Sequence, residues 1–450
     1  MRIHFIAIGG AVMHNLAIAL HKKGYTITGS DDEIFEPSLG RLKAFGLLPP
    51  EWGWFPDKLK HSPDAVILGM HAREDNPELL YARKLGVKIY SFPEFLYEQT
   101  KNKKRVVIAG SHGKTTVTSM IMHALAENGR KFDYMVGSNL EGFDTMVGLD
   151  DSNDIAIFEG DEYLTSPIDR RPKFHLYQPH ISLITGIAWD HMNVFPSFEN
   201  YLEQFRVFAE MTSGSLIYFE RDPHLKIIVE NLNKRIGLYP YDEIISCTNG
   251  RMSMVTFENL AVSLNIFGRH NMQNLAGAMQ VCKILGVSEH DFLFSMTNFR
   301  GAARRQELLA GNENCDVYLD FAHAPSKVKA TTEAFREQFI DKKLIACLEL
   351  HTFSSLNRDF LPQYNSCMDQ ADKAIVFYDP EVVAHKKLPE LKPEDILTSF
   401  GRKDLTVISD KNLLEPALLS EKTGNCIILL MTSGNFSGID LPLLAQRFIS

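Results

Sequence analysis

The chain is expected to fold as an α/β protein with parallel sheets, in about three domains. Short apolar runs alternate with helical patterns almost from end to end, as successive βαβ units do. The run Val106-Val107-Ile108-Ala109-Gly110-Ser111-His112-Gly113-Lys114-Thr115-Thr116 joins a buried strand, a glycine turn and a helix start. A chain of 450 residues exceeds what one core holds, and roughly 150 residues per domain gives about three.

In chain order, the first block opens with a strand at Ile3–Ile8, the turn Gly9-Gly10, and a helix over Met13–Lys23 that stops at Gly24. Strands follow at Tyr25–Thr28, Ala65–Leu68 and Val87–Tyr90, and the polar, basic stretch Gln99–Arg105 reads as a linker. A dinucleotide fingerprint would place glycines at positions 7, 9 and 12. Only Gly9 qualifies, because Ala7 and Val12 fill the others, so a fold of this kind without nicotinamide is expected. The Gly9-Gly10 turn can still cradle the pyrophosphate of a sugar nucleotide at a helix N-terminus.

In the glycine turn, backbone N–H groups point at phosphate oxygens, Lys114 supplies a point charge, and the Thr115 hydroxyl suits Mg²⁺. Ile108 stands where the common pattern has its first glycine. Val117, Met120, Ile121, Ala124 and Leu125 lie at helical spacing and Gly129 ends the run.

Ligands gather at the carboxyl ends of parallel strands. There the strand Ile155–Phe158 delivers Glu159-Gly160-Asp161-Glu162, and Ile181–Ile184 leads to Asp190-His191. Phosphoryl transfer needs hard oxygen ligands for Mg²⁺, which favours Glu159, with His191 holding a second ion or orienting a water. Further on, Asn271 either caps its helix or reads the donor–acceptor edge of adenine. Arg304-Arg305 offers guanidinium forks for phosphate. The last block restarts the alternation at Val317–Phe321, Leu344–Leu348, Ala374–Tyr378, Leu405–Ile408 and Cys426–Met431. Asp320 and His323, at the end of its first strand, suit a ribose hydroxyl and a nucleotide or substrate, or else a capped turn.

Composition narrows the class. Hydrophobic content of 45% and charged content of 23% are ordinary for a globular protein, and a net charge of -9 argues against a nucleic-acid partner. The six cysteines are scattered without a Cys-x-x-Cys pair, which fits a reducing, cytoplasmic setting. No signal-peptide pattern or membrane-length apolar run is evident, so no membrane association is expected.

Six segments taken in order resemble the muramate ligase family, the ATP-dependent amide-bond formers of peptidoglycan synthesis. They are Gly110–Thr116, Glu159-Gly160-Asp161-Glu162, Asp190-His191, His270-Asn271-x-x-Asn274, Phe299-x-Gly301-x-x-Arg304-Arg305 and Asp320-x-Ala322-His323-x-Pro325. The family's phosphate loop also lacks the first glycine, which accounts for Ile108. The resemblance implies a Rossmann-like UDP-sugar domain at 1–100, a central P-loop ATPase-type domain at 101–304, and a Rossmann-like domain at 305–450 that closes on ATP and brings the amine. It implies ATP and Mg²⁺, with UDP-N-acetylmuramate and a free peptide or amino acid as substrates, in a monomer or weak dimer. Gly110, Ser111, His112, Gly113, Lys114, Thr115 and Thr116 would cradle the phosphates. Thr115, Glu159 and His191 would hold metal, Asn271 and Asn274 would meet adenine, Arg305 the phosphates and Asp320 the ribose. Lys114, Glu159, His191, Arg305 and His323 would serve the reaction, and Gly9, Gly10, Ser30, Asp31 and Asn76 the UDP-sugar.

His112 resembles the branch that uses UDP-N-acetylmuramate itself. Glu159–Tyr163 with Asp169-Arg170-Arg171-x-Lys173-Phe174, and Met431–Ile439, resemble members that attach recycled L-alanyl-γ-D-glutamyl-meso-diaminopimelate. The alternative is the sister activity that adds L-alanine. Its recognition loop resembles His351-Thr352-Phe353-Ser354-Ser355, but serine stands where arginine is usual. Gly186 and Ala188 replace the usual Asn and Glu ahead of Asp190. No lysine lies between Lys173 and Lys226, so the carbamylated lysine of some relatives is not expected. A P-loop protein without ligase activity is the remaining class. A guanine switch would carry Asn-Lys-x-Asp, which is absent, and folylpolyglutamate synthetases would not need the N-terminal block.

Overall fold

A computed structural model of the chain describes residues 1–70, 72–189, 194–257 and 260–449. They fall into two compact units, one of residues 1–189, 194–242 and 276–295, the other of residues 243–275 and 296–449.

The first unit contains two parallel sheets. Strands β1 (Arg2–Ile6), β2 (Thr26–Ser30), β3 (Ala65–Leu68) and β4 (Ile89–Ser91) form a sheet in the order β2-β1-β3-β4, with Ile3 opposite Ile27 and Ala65. All four residues of β3 are buried, which is why its sequence is apolar throughout rather than alternating. The helix Ala11–Lys22 buries Leu16, Ala17 and Leu20 against this sheet, and Gly24, at φ +86°, turns the chain back. The first strand ends two residues earlier than expected because Ala7 adopts a left-handed φ of +66°.

The larger sheet of this unit comprises β5 (Lys104–Ala109), β6 (Asp133–Met135), β7 (Val147–Gly148), β8 (Ile155–Glu159), β11 (Ile181–Ile184), β12 (Ser215–Phe219) and β13 (Gly237–Tyr241). Between β8 and β11 lies a separate antiparallel pair, β9 (Leu164–Ser166) and β10 (Asp169–Pro172). The large sheet runs β13-β12-β11-β5-β8-β6-β7, parallel except for β7. Placing β5 between β8 and β11 brings the three strand ends expected to carry the site side by side. The expected linker Gln99–Arg105 is not one. Gln99 and Thr100 end the helix Phe92–Thr100, and Lys104 already begins β5. Its cations are structural: Lys103 Nζ lies 2.6 Å from Asp133 Oδ2, and Arg105 donates to the carbonyls of Tyr177, Thr100, Lys101 and Lys103.

The second unit carries a three-stranded antiparallel sheet of β14 (Ser246–Asn249), β15 (Met252–Phe257) and β16 (Leu260–Leu264). This departs from the expected run of parallel units. The two-residue turn between β14 and β15 is Gly250-Arg251, with Gly250 at φ +60°, as suits glycine at the first position of a tight hairpin loop. The main sheet consists of β17 (Glu307–Gly311), β18 (Cys315–Asp320), β19 (Lys343–Leu350), β20 (Lys373–Tyr378), β21 (Thr406–Ile408) and β22 (Cys426–Met431). Its order is β17-β18-β22-β19-β20-β21, parallel except at β17. The expected strands of the last block fall within a few residues of these, and β22 coincides with its expected bounds.

Candidate active site

The phosphate loop is built by two glycines and a neighbouring strand end. Gly110 has φ +128°, and a Cβ there would collide with the Thr185 hydroxyl and backbone beyond β11. Gly113, at φ +76°, precedes the helix Lys114–Glu127, whose N-terminal N–H groups carry partial positive charge. Ser111 N–H donates to Gly186 O at 2.9 Å, and the Thr185 hydroxyl donates to the His112 carbonyl. The Ser111 hydroxyl lies 2.8 Å from Tyr201 Oη and accepts from Ala188 N–H at 2.9 Å. Gly186 and Ala188 therefore contribute backbone groups at the places where larger polar side chains were looked for.

Within this loop Lys114 Nζ donates to Gly110 O and to Glu162 Oε2, both at 2.6 Å. Burial works against the ammonium, but Glu162, Asp161 and Glu159 outweigh it and hold the pKa above its usual value. The Thr115 hydroxyl donates to Glu159 Oε1 at 2.9 Å, and Gly137 N–H to Oε2 at 2.7 Å. Burial raises the pKa of Glu159 despite the opposing pulls of the Gly137 N–H, Lys114 and Thr115. The protein alone thus under-compensates the carboxylate. A hard cation contacting Glu159 and the Thr115 hydroxyl would supply the missing positive charge, and these oxygen donors suit Mg²⁺ shared with substrate phosphates. Thr116 is buried in the first helical turn. Asp190 and His191 lie outside the described residues.

At the carboxyl ends of β1 and β2, Gly9 N–H donates to Asp31 Oδ2 at 2.7 Å. A Cβ on Gly9 would approach Asp31 Oδ2 and Ile34 Cγ1 to 2.9 Å, so glycine is required there. Gly10 O accepts from His14 Nδ1 at 2.9 Å, which fixes the ring proton on that nitrogen, and Nε2 accepts from Asn15 Nδ2 at 3.0 Å. Ser30 Oγ accepts from Lys58 Nζ at 2.9 Å. Asn76 is the N-cap of the helix Pro77–Leu85, its Oδ1 accepting from Glu78 and Leu79 N–H. Gly9, Gly10, Ser30 and Asp31 thus share one end of the small sheet, while Asn76 spends its carbonyl oxygen on a helix terminus.

In the second unit Asp320, at the end of β18, accepts from Gln306 N–H on Oδ2 at 2.9 Å and from Ala322 N–H on Oδ1 at 2.8 Å. Gln306 Oε1 accepts from Asn271 Nδ2 at 2.8 Å, and Asn274 Nδ2 donates to Asn271 Oδ1 at 3.3 Å. Asn271, Asn274 and Asp320 are joined through Gln306. Asn271 lies inside the helix Arg269–Ile284 and donates from Nδ2 to Phe267 O at 3.0 Å, so its side chain is not an N-cap acceptor. Burial lowers the pKa of His270, which favours its neutral form. The guanidinium of Arg305 lies over the Phe321 ring, 4.8 Å from its centroid, and His323 Nδ1 donates to Phe321 O at 2.8 Å. Phe321 thereby sets the positions of both residues expected to serve the reaction.

Sequence reasoning underweighted Glu162, although it lies in the same acidic run as Glu159. It missed Gly137, Thr185 and Tyr201, which carry no local signature. It also missed Gln306, which adjoins the arginine pair.

Three family models match the chain: the Mur ligase family, catalytic domain, at residues 2–104, the Mur ligase middle domain at 108–282, and the Mur ligase, glutamate ligase domain, at 304–434. The UDP-N-acetylmuramate–L-alanine ligase of Sulfurihydrogenibium sp. (strain YO3AOP1) is 30% identical over 384 residues, covering 83% of this chain and 82% of its own. Among solved structures, a murein peptide ligase from Psychrobacter arcticus is similar with a TM-score of 0.67 and 23% identity, over 100% of this chain and 98% of that one. A UDP-N-acetylmuramate–alanine ligase from Thermotoga maritima is similar with a TM-score of 0.73 and 20% identity, over the same shares. With three successive domain models and a relative matched along most of both chains, the protein belongs to the Mur ligase family of ATP-dependent amide-bond ligases.

Proposed function

We propose that the protein joins the free peptide L-alanyl-γ-D-glutamyl-meso-diaminopimelate to UDP-N-acetylmuramate, using ATP. The observation that carries the choice of amine is Ser355. It stands where an L-alanine ligase would present arginine, and it is buried in its own turn. Its N–H donates to Thr352 Oγ1 at 3.1 Å, its hydroxyl to Thr352 O at 3.1 Å, and it offers no positive charge. A small amino acid needs its carboxylate clamped, ideally by a guanidinium, whereas a longer peptide can draw affinity from more distant contacts.

We infer a division of binding roles among residues 1–100, 101–304 and 305–450. Gly9, Gly10, Ser30 and Asp31 would meet the UDP-sugar, with Asn76 shaping the adjoining helix end. The glycine turn from Gly110 to Thr116 would hold the triphosphate, with Lys114 at its outer phosphates. Asn271 and Asn274 would meet adenine, Asp320 the ribose, and Arg305 and His323 the phosphate and incoming-amine side. One Mg²⁺ held by Thr115 and Glu159, and a second held by His191, would neutralise charge on the phosphates. The lactoyl carboxylate would attack the γ-phosphorus and release ADP. The peptide amine would then add to the acyl carbon and expel phosphate, leaving the amide. Positioning and fixed charge carry such a reaction, because the protein forms no covalent bond itself. ATP and a nucleotide sugar as substrates fit a cytoplasmic reaction.

Addition of L-alanine is the second reading. It is favoured by the name of the Sulfurihydrogenibium relative and by the loop His351-Thr352-Phe353. Phosphate release in the presence of ATP, Mg²⁺ and UDP-N-acetylmuramate separates the two. The peptide should give a kcat/KM at least about tenfold above that of L-alanine, a difference of about 1.4 kcal/mol in transition-state stabilisation. The reverse preference would reject the peptide assignment.

A further inference from the structure

The amides around Asn271 have a polarity that the backbone dictates. Phe267 O can only accept, so the Asn271 NH₂ group must face it, at 3.0 Å. Asn271 Oδ1 then faces Asn274 Nδ2, and the second hydrogen on Asn271 Nδ2 points at Gln306, which must answer with Oε1 at 2.8 Å. Flipping either amide would set donor against donor or acceptor against acceptor. The NH₂ of Gln306 is thereby forced to the opposite side, where Nε2 is shut off from solvent and has no hydrogen-bond partner among the described residues. The backbone holds it there: Gln306 adopts φ +51°, and its N–H is fastened to Asp320 Oδ2 at 2.9 Å.

A buried amide donor without an acceptor is uncommon in native structures and is accounted for when a ligand provides the acceptor. Gln306 bridges the two asparagines proposed for adenine and the aspartate proposed for ribose, and the purine ring offers nitrogen acceptors. We propose that Gln306 is a specificity residue for the nucleotide, its Nε2 donating to a ring nitrogen of the adenine base. This rests on the reading that Asn271 and Asp320 face ATP.

The test is calorimetric binding of MgADP and of its 1-deaza, 3-deaza and 7-deaza analogues, each of which replaces one ring nitrogen by C–H. One analogue should bind the native protein roughly three- to tenfold more weakly than ADP, the range expected for one neutral hydrogen bond. Gln306→Glu keeps the oxygen that serves Asn271 but has no NH₂, and Gln306→Met removes both groups without adding charge. Both variants should bind ADP more weakly by that factor and no longer distinguish the sensitive analogue from ADP. Equal binding of all four nucleotides by the native protein, or unchanged discrimination by the variants, would overturn the assignment. Equal binding across the native series overturns the assignment even where a variant fails to fold. Should Asn271→Ala and Asp320→Ala also leave ADP binding unchanged, the base site itself is misplaced. If those two weaken binding and the Gln306 variants do not, only the role of Gln306 falls.

Discussion

At Asp31 the cost of burial exceeds the help of the Gly9 N–H, and nearby Asp32 adds repulsion, so the carboxyl is raised from its ordinary value to about 6. An acid whose pKa is higher folded than unfolded stabilises the fold when protonated, and that contribution fades as pH rises through the folded value. Between about pH 4 and pH 6 the native protein should therefore lose on the order of 2 kcal/mol relative to Asp31→Asn. Urea titrations of both across that window check this; parallel stability curves would contradict it. Lys114→Ala should lower kcat by at least about a hundredfold, the scale of losing one preorganised charge at a phosphoryl centre. It also leaves Glu162 buried without its ammonium partner, so the double variant Lys114→Ala/Glu162→Gln serves as the folded control and should be equally inactive in phosphate release. Native-like turnover in either would remove Lys114 from the site. Lys114, Thr115 and Glu159 were legible because a local motif or a strand end fixes them. Glu162, Gly137 and Gln306 were not, since their partners lie on other helices and strands and meet them only once these elements assemble.

Just beyond β22, the segment Thr432–Phe436 is fastened by a polar clamp. Glu349 Oε2, at the end of β19, accepts from the Thr432 hydroxyl and from Phe436 N–H at 3.0 Å. Thr432 Oγ1 accepts in turn from Gly434 N–H at 2.7 Å, and Arg304 donates to Thr432 O and Gly434 O at 3.1 and 2.6 Å. A Cβ on Gly434 would crowd Glu349 and His351 to 2.7 Å, so the segment has little room to shift. Thr432→Val leaves a buried carboxylate oxygen and an N–H short of a partner and should cost about 1–3 kcal/mol in urea unfolding, whereas Thr432→Ser should recover most of it. A valine variant as stable as the native protein would show that the clamp contributes nothing. The parallel strands around this clamp were readable as short apolar runs flanked by helical periods. The antiparallel sheet of β14–β16 was not, because its three strands follow one another without the intervening helical periods that mark βαβ units. The glycine of its Gly250-Arg251 turn was the available signal. The Gln99–Arg105 stretch misled for the opposite reason, its charges being spent on buried carbonyls and on Asp133.

Across the whole chain, six individually weak segments in a fixed order carried the family reading, and the three matched domain models agree with it. The choice of amine was less legible, since the reading rests on one short loop, His351–Ser355, rather than on a run of ordered segments. Among the described residues no helix is long and apolar enough to cross a membrane. The chemical step is tested most directly with UDP-N-acetylmuramate labelled with ¹⁸O in the lactoyl carboxylate, by mass analysis of the phosphate released per amide formed. Activation as an acyl phosphate transfers one ¹⁸O to each phosphate and leaves ADP unlabelled. Unlabelled phosphate, or label in AMP with release of pyrophosphate, would contradict it.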